Sequence, residues 1–327
     1  MPDRPGKPLA ETCRYRAVGE HLRLTAMAAP PSLSVHTSVG ERGTTANRCV
    51  DVSHAAIVPR RAATAGDASV FLSAGGAAIA RGVTSREIAM AVASDILGDK
   101  LLKIDFQFAT SRYADDLEAA RVAALPVIDP RGRKRFFQPP SMRMIPHNDG
   151  FAFGDFGPDY LFLWCQRPAN AGGDSTVIDG AKLVKLLEDD GSTADLARFC
   201  WEVDIDLSDP SNLAANEGPI ARRLASGRVQ VHNHPHILAK AGANEALEGP
   251  MVRRWQEAVI SARDSGPTFR IEAGEMLCID NYRMLHGRDA FDDEARMVHA
   301  MWAWTTDALA VPSGSVDVHD PTVPTAH

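Results

Sequence analysis

Apolar residues recur at helical spacing in Ser85-Arg-Glu-Ile-Ala-Met-Ala-Val-Ala-Ser-Asp-Ile-Leu, which predicts a helix with Ser85 as its N-cap. The next segment, Leu101 to Phe108, alternates as a strand does. Tyr113 to Ala124 returns to a helical pattern, and the basic run Pro130-Arg-Gly-Arg-Lys-Arg reads as a solvated hairpin turn. Tyr160 to Cys165 is a continuous apolar run, the mark of a buried strand. Gly172-Gly173 then predicts a tight turn into a short strand. Residues 181–202 read as helix interrupted near Gly191-Ser192, and Met251 to Arg263 as an amphipathic helix. Strands are predicted at Val203 to Leu207, Arg228 to His232, Thr268 to Glu272, Met276 to Asp280 and Met297 to Trp304. Residues 1–65 carry weak periodicity and much Ala, Pro, Ser, Thr and Arg, so they are set apart as an N-terminal arm, a dimer contact or a flexible leader. Residues 66–327 are expected to form a single domain.

Within this pattern one constellation carries chemistry. His147-Asn148-Asp149 is followed about 140 residues later by His286. A His-x-Asp pair with one distant His is the sequence form of the 2-His-1-carboxylate triad, which holds non-haem Fe(II) on one face and leaves the other face open. On an extended strand end, residues i and i+2 point the same way, so His147 and Asp149 can grip one metal while Asn148 points away. The third ligand comes from another strand, so its separation in sequence is free. Pro146 favours an extended approach to the pair. Strands with helical insertions, and ligands drawn from separate strands, fit a mainly β double-stranded β-helix, a cupin-like jelly roll.

The strings flanking these residues are PHNDG, PDYLFLWCQRPANAGGDSTVIDG and GEMLCIDNYRMLHGRDAF, with Arg296 ten residues beyond His286. Taken in order over roughly residues 140–305, they resemble the taurine-dioxygenase-like group of Fe(II)/2-oxoglutarate-dependent oxygenases, especially its gamma-butyrobetaine hydroxylase and clavaminate synthase relatives. The resemblance implies the same β-helix fold. It implies Fe(II) as cofactor, 2-oxoglutarate as cosubstrate and O2 as oxidant. It assigns the iron ligands to His147, Asp149 and His286, and the distal carboxylate of 2-oxoglutarate to Arg296. A planar guanidinium fits a carboxylate bidentately, as Lys cannot. Ser175 sits where many relatives carry a Thr that bonds the same carboxylate, whereas Thr176 should face the other side of its strand. The implied reaction is hydroxylation with release of succinate and CO2; desaturation, epoxidation and cyclisation draw on the same oxidant. Taurine dioxygenase carries a second arginine four residues after the cosubstrate arginine, for the substrate sulfonate. Here that place is Ala300, which disfavours a sulfonate substrate.

Other residues compete for these roles. Arg288 stands two residues after His286 and is read as a structural ion pair with Asp280 or Asp289. His232-x-His234-x-His236 resembles a metal strand, but Pro235 interrupts it and no carboxylate is near in sequence. It is read as a strand edge or substrate-lining segment. His299 is read as a core or pocket-wall residue. Asn148, Phe151, Phe153 and His234 are the candidates for the substrate pocket, with Tyr160 and Trp164 as further aromatic contributors. The expected substrate is a small polar metabolite, an amino-acid derivative or natural-product intermediate; gamma-butyrobetaine-like hydroxylation is the runner-up. A metal-binding protein without catalysis is the alternative from another class, and the full triad with Arg296 argues against it.

Composition narrows the setting. A net charge of −7 and pI near 5.9 disfavour general nucleic-acid binding, which needs a basic patch. No apolar run approaches the roughly 18–20 residues of a membrane span. Five scattered cysteines without C-x-x-C suit reduced thiols in a cytoplasm, and no secretory leader is read at the start. The expected partners are a small-molecule substrate and, through the arm, a second copy of the chain.

Overall fold

A computed structural model of the chain describes residues 50–109, 141–208, 216–242, 244–293 and 295–313. The helix-like stretch Tyr113 to Ala124 and the basic turn at 130–135 lie outside the described residues.

Two antiparallel sheets face each other. The minor sheet has the order β1 (Ala56–Ile57), β7 (Ser175–Asp179), β13 (Met284–Arg288), β5 (Met144–His147). The major sheet has the order β2 (Arg60–Ala62), β3 (Ala77–Arg81), β12 (Glu275–Asp280), β6 (Tyr160–Arg167), β14 (Met297–Thr305), β4 (Leu101–Ala109). Within the major sheet only β2 and β3 run parallel. Strands close in the chain alternate between the sheets: β5 minor, β6 major, β7 minor, then β12 major, β13 minor, β14 major. That alternation is a double-stranded β-helix. Two short hairpins, β8 (Asp204–Asp206) with β9 (Glu217–Pro219) and β10 (Ala221–Arg223) with β11 (Val229–Val231), sit in the insertion between β7 and β12.

Three apolar clusters explain why the strands read as continuous apolar runs rather than alternating ones. Between the sheets lie Leu161, Leu277, Ile279, Val298, Trp302 and Trp304 of the major sheet with Val177 and Met284 of the minor sheet. On the outer face of the major sheet, Phe162, Met276, Cys278 and Met301 pack on α1 (Ala65–Gly75) and α2 (Arg86–Leu97). On the outer face of the minor sheet, Ile178 and Leu285 meet α3 (Gly180–Asp189), α4 (Ala194–Glu202) and α5 (Glu245–Ser265). A strand buried on both faces has no polar side to reveal its period.

Local signals account for the boundaries. The Ser85 hydroxyl accepts from the Ile88 N–H at 3.3 Å and caps α2. The gap between α3 and α4 falls at 190–193, where the Asp190 carboxylate binds the N–H of Ser192 at 2.8 Å. Helix α5 begins six residues before the predicted Met251 and runs through Pro250. Thr268 to Glu272 is not a strand; a single bridge pairs Phe269 with Ser175. From Ser53 onward, the segment set apart as an arm supplies a 3-10 turn and strands β1 and β2, one to each sheet. Among the described residues no helix is long and apolar enough to cross a membrane.

Candidate active site

Register delivers the histidines. β13 and β5 are neighbours in the minor sheet, and His286 pairs directly with His147. Facing residues of paired strands stand close enough for their side chains to meet, and the two imidazole centroids lie 4.4 Å apart. His147 is the last residue of β5, and Asp149 sits in the turn that follows. The pair therefore straddles the strand end rather than occupying the strand. Gly150 closes the turn at φ 72°, where a side chain would collide with Pro158.

The donor atoms converge. Oδ1 of Asp149 lies 3.3 Å from Nε2 of His147 and 3.4 Å from Nε2 of His286. One ligand atom from each residue can be chosen so that all lie within 4.8 Å of one another. The His147 tautomer follows from its other nitrogen: Nδ1 lies 2.9 Å from the Ile145 carbonyl, which can only accept. Nδ1 therefore carries the proton, and the Nε2 lone pair faces the cluster. Burial pushes the His286 imidazole down to about 4, and the neighbouring His147 reinforces it, so His286 is neutral at pH 7. Burial alone would raise the Asp149 carboxyl; the His147 and His286 rings set against it, with the Trp302 indole, instead hold it at about 2. Two imidazoles and one carboxylate, convergent and at least half-buried, fit Fe(II).

A frame of asparagines holds the turn. Asn281 accepts from the Asp149 N–H at 3.0 Å and donates to the carbonyls of Asp149 at 2.9 Å and Pro158 at 2.8 Å. Asn148 donates to the carbonyls of Asn281 at 2.7 Å and Met284 at 3.1 Å, and accepts from the Asn233 N–H at 3.1 Å. Asn233 donates to the Pro146 carbonyl at 2.6 Å. Asn148, expected at the substrate pocket, is thus committed to backbone groups on both sides of the metal turn. On the open side of Asp149, the Trp302 indole donates to Oδ2 at 2.8 Å.

A second feature is a small cavity lined by Arg296, Ser175, Arg270, Cys165, Gly173 and Val298, among others. It brings together Arg296 and Ser175 as the sequence pairs them. Thr176, next along β7, does not line it. Arg296 is 7% exposed, and burial lowers its guanidinium below the ordinary value, with Arg270 adding to the effect. Its guanidinium stacks 4.8 Å from the Phe291 ring centroid. Gly172 and Gly173 both adopt positive φ: a side chain at Gly172 would run into the Ala290 carbonyl, and a Cβ at Gly173 would stand 3.3 Å from Nε of Arg296. The turn needs glycine twice because backbone and guanidinium approach so closely. Burial pushes the Cys165 thiol up to about 11, so it is a neutral wall.

The competing residues are placed elsewhere. Arg288 does not form the expected pairs: Nη1 donates to the carbonyls of Met142 and Asp289, each at 3.1 Å. The Asp280 carboxylate is held by Arg228 at 2.6 Å and that of Asp289 by Arg143 at 2.9 Å. His234 is buried; Nε2 donates to the Leu207 carbonyl at 3.1 Å and Nδ1 accepts from the His236 N–H at 3.3 Å. With both nitrogens engaged, it has no donor for a metal. Phe151 stacks on His234 at 4.1 Å, and Phe153 belongs to the core between the sheets. His299 is not a pocket wall: it stacks on Trp164 at 4.8 Å on the outer face of the major sheet, bonded to Gln166 at 2.8 Å. Sequence reading missed Asn233, Asn281, Trp302 and Arg270. Only Asn281 had a local signal, its place in a turn between two strands.

The pattern of the taurine catabolism dioxygenase TauD, TfdA family matches residues 129–302, just over half of the chain. The chain is 29% identical over 154 residues to a gamma-butyrobetaine dioxygenase of Pseudomonas sp. (strain AK-1); the match spans 45% of this chain and 39% of that relative. Among solved structures, an asparagine oxygenase in complex with Fe(II), 2S,3S-3-hydroxyasparagine and succinate is similar at TM-score 0.47 and 17% identity, over 73% of this chain and 78% of that one. PvcB from Pseudomonas aeruginosa is similar at TM-score 0.45 and 15% identity, over 73% and 79%. With the family pattern covering both histidines, Asp149, Ser175 and Arg296, the chain belongs to the TauD/TfdA family of dioxygenases.

Proposed function

We propose that the chain is an Fe(II)- and 2-oxoglutarate-dependent dioxygenase that hydroxylates a small polar metabolite, an amino-acid derivative or natural-product intermediate. The observation that carries the reading is the convergence of His147, Asp149 and His286 on one point beside a buried arginine–serine cavity. When bound, Fe(II) with 2-oxoglutarate and O2 supplies the oxidising power, and succinate and CO2 are the co-products. His147, Asp149 and His286 would hold the metal. Arg296 would clamp the distal carboxylate of 2-oxoglutarate with two parallel hydrogen bonds, and Ser175 would add one more. Burial of Arg296 beside Cys165, Ile271 and Val298 strengthens that pairing by excluding water.

Gamma-butyrobetaine-like hydroxylation is the second reading, favoured by the 29% identity to that relative. A quaternary ammonium is commonly held by an aromatic cage. Here the candidate aromatics are otherwise engaged: Phe151 on His234, Phe153 in the inter-sheet core, Trp164 on His299, Tyr160 against Arg228. That supports a polar substrate over a quaternary one. The test is a metabolite screen for O2-dependent succinate release from 2-oxoglutarate with Fe(II), with product mass measured. A product 16 mass units heavier supports hydroxylation. A protein that binds Fe(II) yet releases no succinate under any condition overturns the enzyme reading.

A further inference from the structure

Strand β14 turns Val298, Ala300, Trp302 and Trp304 toward the minor sheet. Trp302 is 2% exposed, and its ring meets Phe153 edge-on at 5.9 Å and Trp304 at 6.4 Å. Its indole nitrogen stands 2.8 Å from Oδ2 of Asp149. An indole N–H donates and cannot accept, so the direction of this bond is fixed. The other oxygen, Oδ1, is the one that faces the two imidazole nitrogens, at 3.3 and 3.4 Å. The two oxygens of a single carboxylate are thereby given to two different tasks.

We propose that Trp302 is a positioning residue that ties back Oδ2, so that Asp149 presents one oxygen to the metal. The inference rests on reading His147, Asp149 and His286 as a metal site. A carboxylate can bind a cation through one oxygen or both. Bound through both, Asp149 would take up a position on the open face that cosubstrate and oxidant require. A donor on Oδ2 opposes that second contact and fixes the carboxylate plane. It also holds Oδ1 aimed at the two imidazole nitrogens before the ion arrives, as outer hydrogen bonds orient metal ligands. Because the ring packs edge-on against Phe153, the donor arrives already oriented. Trp304 offers an internal control: same strand, same face, same ring, but its N–H donates to the Phe156 carbonyl at 2.9 Å.

The test uses Co(II) alone as the probe, read by titration and by its visible ligand-field spectrum. Two changes remove the donor: Trp302→Phe, and replacement of Trp302 by 3-benzothienylalanine, which keeps the ring shape and puts sulfur where the N–H was. Both should weaken Co(II) binding by about tenfold to a hundredfold and shift the ligand-field bands. Trp304→Phe should leave affinity and spectrum at wild type. His147→Ala separates the two levels of the argument. If wild type binds Co(II), His147→Ala does not, and the benzothienyl protein matches wild type in affinity and spectrum, the role of Trp302 is overturned and the metal site stands. If His147→Ala binds as wild type does, the metal site itself falls, and the inference with it. A Trp304→Phe spectrum displaced as far as that of Trp302→Phe also overturns it, because the effect would then be one of packing.

Discussion

The two ends of the candidate site are built on opposite principles. At the metal end two of the three donors are held by hydrogen bonds from outside the cluster: His147 by the Ile145 carbonyl, Asp149 by Trp302 and Asn281, with the turn itself held by Asn148 and Asn233 and His286 held by its strand pairing. At the cavity end the central group is a guanidinium 7% exposed, stacked on Phe291, whose charge burial disfavours. One end prescribes geometry, as an ion with fixed coordination needs. The other holds a buried positive charge, the complement of the carboxylate proposed to bind there. Preorganised dipoles and poorly solvated charge are two distinct ways to prepare a site before its ligand arrives.

The sharpest way to break the comparison is to remove a metal donor. His147→Ala and His286→Ala should each abolish Fe(II) binding and turnover, since two remaining ligands hold iron poorly. Wild-type Fe(II) affinity in either, by anaerobic titration, would end the triad assignment. Asp149→Gly should suppress hydroxylation and open a place for azide or chloride; full hydroxylase activity in that variant would show that Asp149 is not a ligand. His234→Ala should leave Fe(II) affinity near wild type, because both its nitrogens are engaged elsewhere.

At the cavity end the effect should be large but selective. Removing one partner of a buried charge pair costs roughly 2–5 kcal/mol. Arg296→Ala should therefore weaken 2-oxoglutarate binding by about thirtyfold to several thousandfold, at 1.4 kcal/mol per factor of ten. Fe(II) affinity should hold. If Arg288→Ala raises the 2-oxoglutarate requirement and Arg296→Ala does not, the two arginines exchange roles. The expected effect of Arg288→Ala is on stability, through its bonds to the Met142 and Asp289 carbonyls.

This division also governs what could be read from sequence. His147, Asp149 and His286 were legible because metal chemistry dictates residue type and, for the pair, spacing, whereas Arg296 was assigned through family resemblance alone. Their frame was not. Asn281 bonds Asp149 across 132 positions, and Trp302 bonds it across 153, distances set by strand pairing alone. The parity of β14 was equally hidden: Met297-Val-His-Ala-Met-Trp-Ala-Trp-Thr305 is buried on both faces, so nothing in its pattern says that Trp302 faces in and His299 faces out. Strand β3, Ala77-Ala-Ile-Ala-Arg81, went unseen because alanines carry little strand signal. Helix α2 and the break between α3 and α4 were visible because a cap and a turn are local features.

A smaller effect probes the frame. Asn281→Ala strips partners from the Asp149 N–H and from the Asp149 and Pro158 carbonyls. Each buried group left unpaired costs about 1–3 kcal/mol, so a loss of about 3 kcal/mol or more is expected in denaturant unfolding. Fe(II) affinity should fall alongside it. A variant of wild-type stability would show that water replaces the amide without penalty.

Acid should expose the buried histidines. Burial holds His232 down at about 3, with Arg222 contributing. In the unfolded chain it titrates near 6.5, so the unfolded state binds the extra proton first. Stability from this group is complete above pH 6.5 and declines as pH falls toward 3. The decline at pH 5 is about 2 kcal/mol, at 1.36 kcal/mol per unit. His232→Gln should flatten the dependence of metal-free unfolding free energy between pH 6.5 and 5; an unchanged slope would locate the acid sensitivity in another group.

The smallest effect belongs to Ser175, and it is the most discriminating between the two ends. Ser175→Ala removes a hydroxyl from the cavity but leaves the backbone bonds of β7, including the bridge from the Ser175 N–H to the Phe269 carbonyl at 2.7 Å. A hydrogen bond to a charged group is worth on the order of 1.5–3 kcal/mol, less than the loss of the guanidinium. The apparent 2-oxoglutarate requirement should rise about tenfold to a hundredfold, at 1.4 kcal/mol per factor of ten. Fe(II) affinity and unfolding free energy should stay near wild type, since the side chain touches neither the metal turn nor the inter-sheet core. Ser175→Thr keeps the hydroxyl and should restore most of the binding. Thr176→Val, one residue on and outside the cavity, should leave it alone. If Thr176→Val weakens 2-oxoglutarate binding and Ser175→Ala does not, β7 presents its other face to the cosubstrate, and the cavity around Arg296 is not where the carboxylate lies.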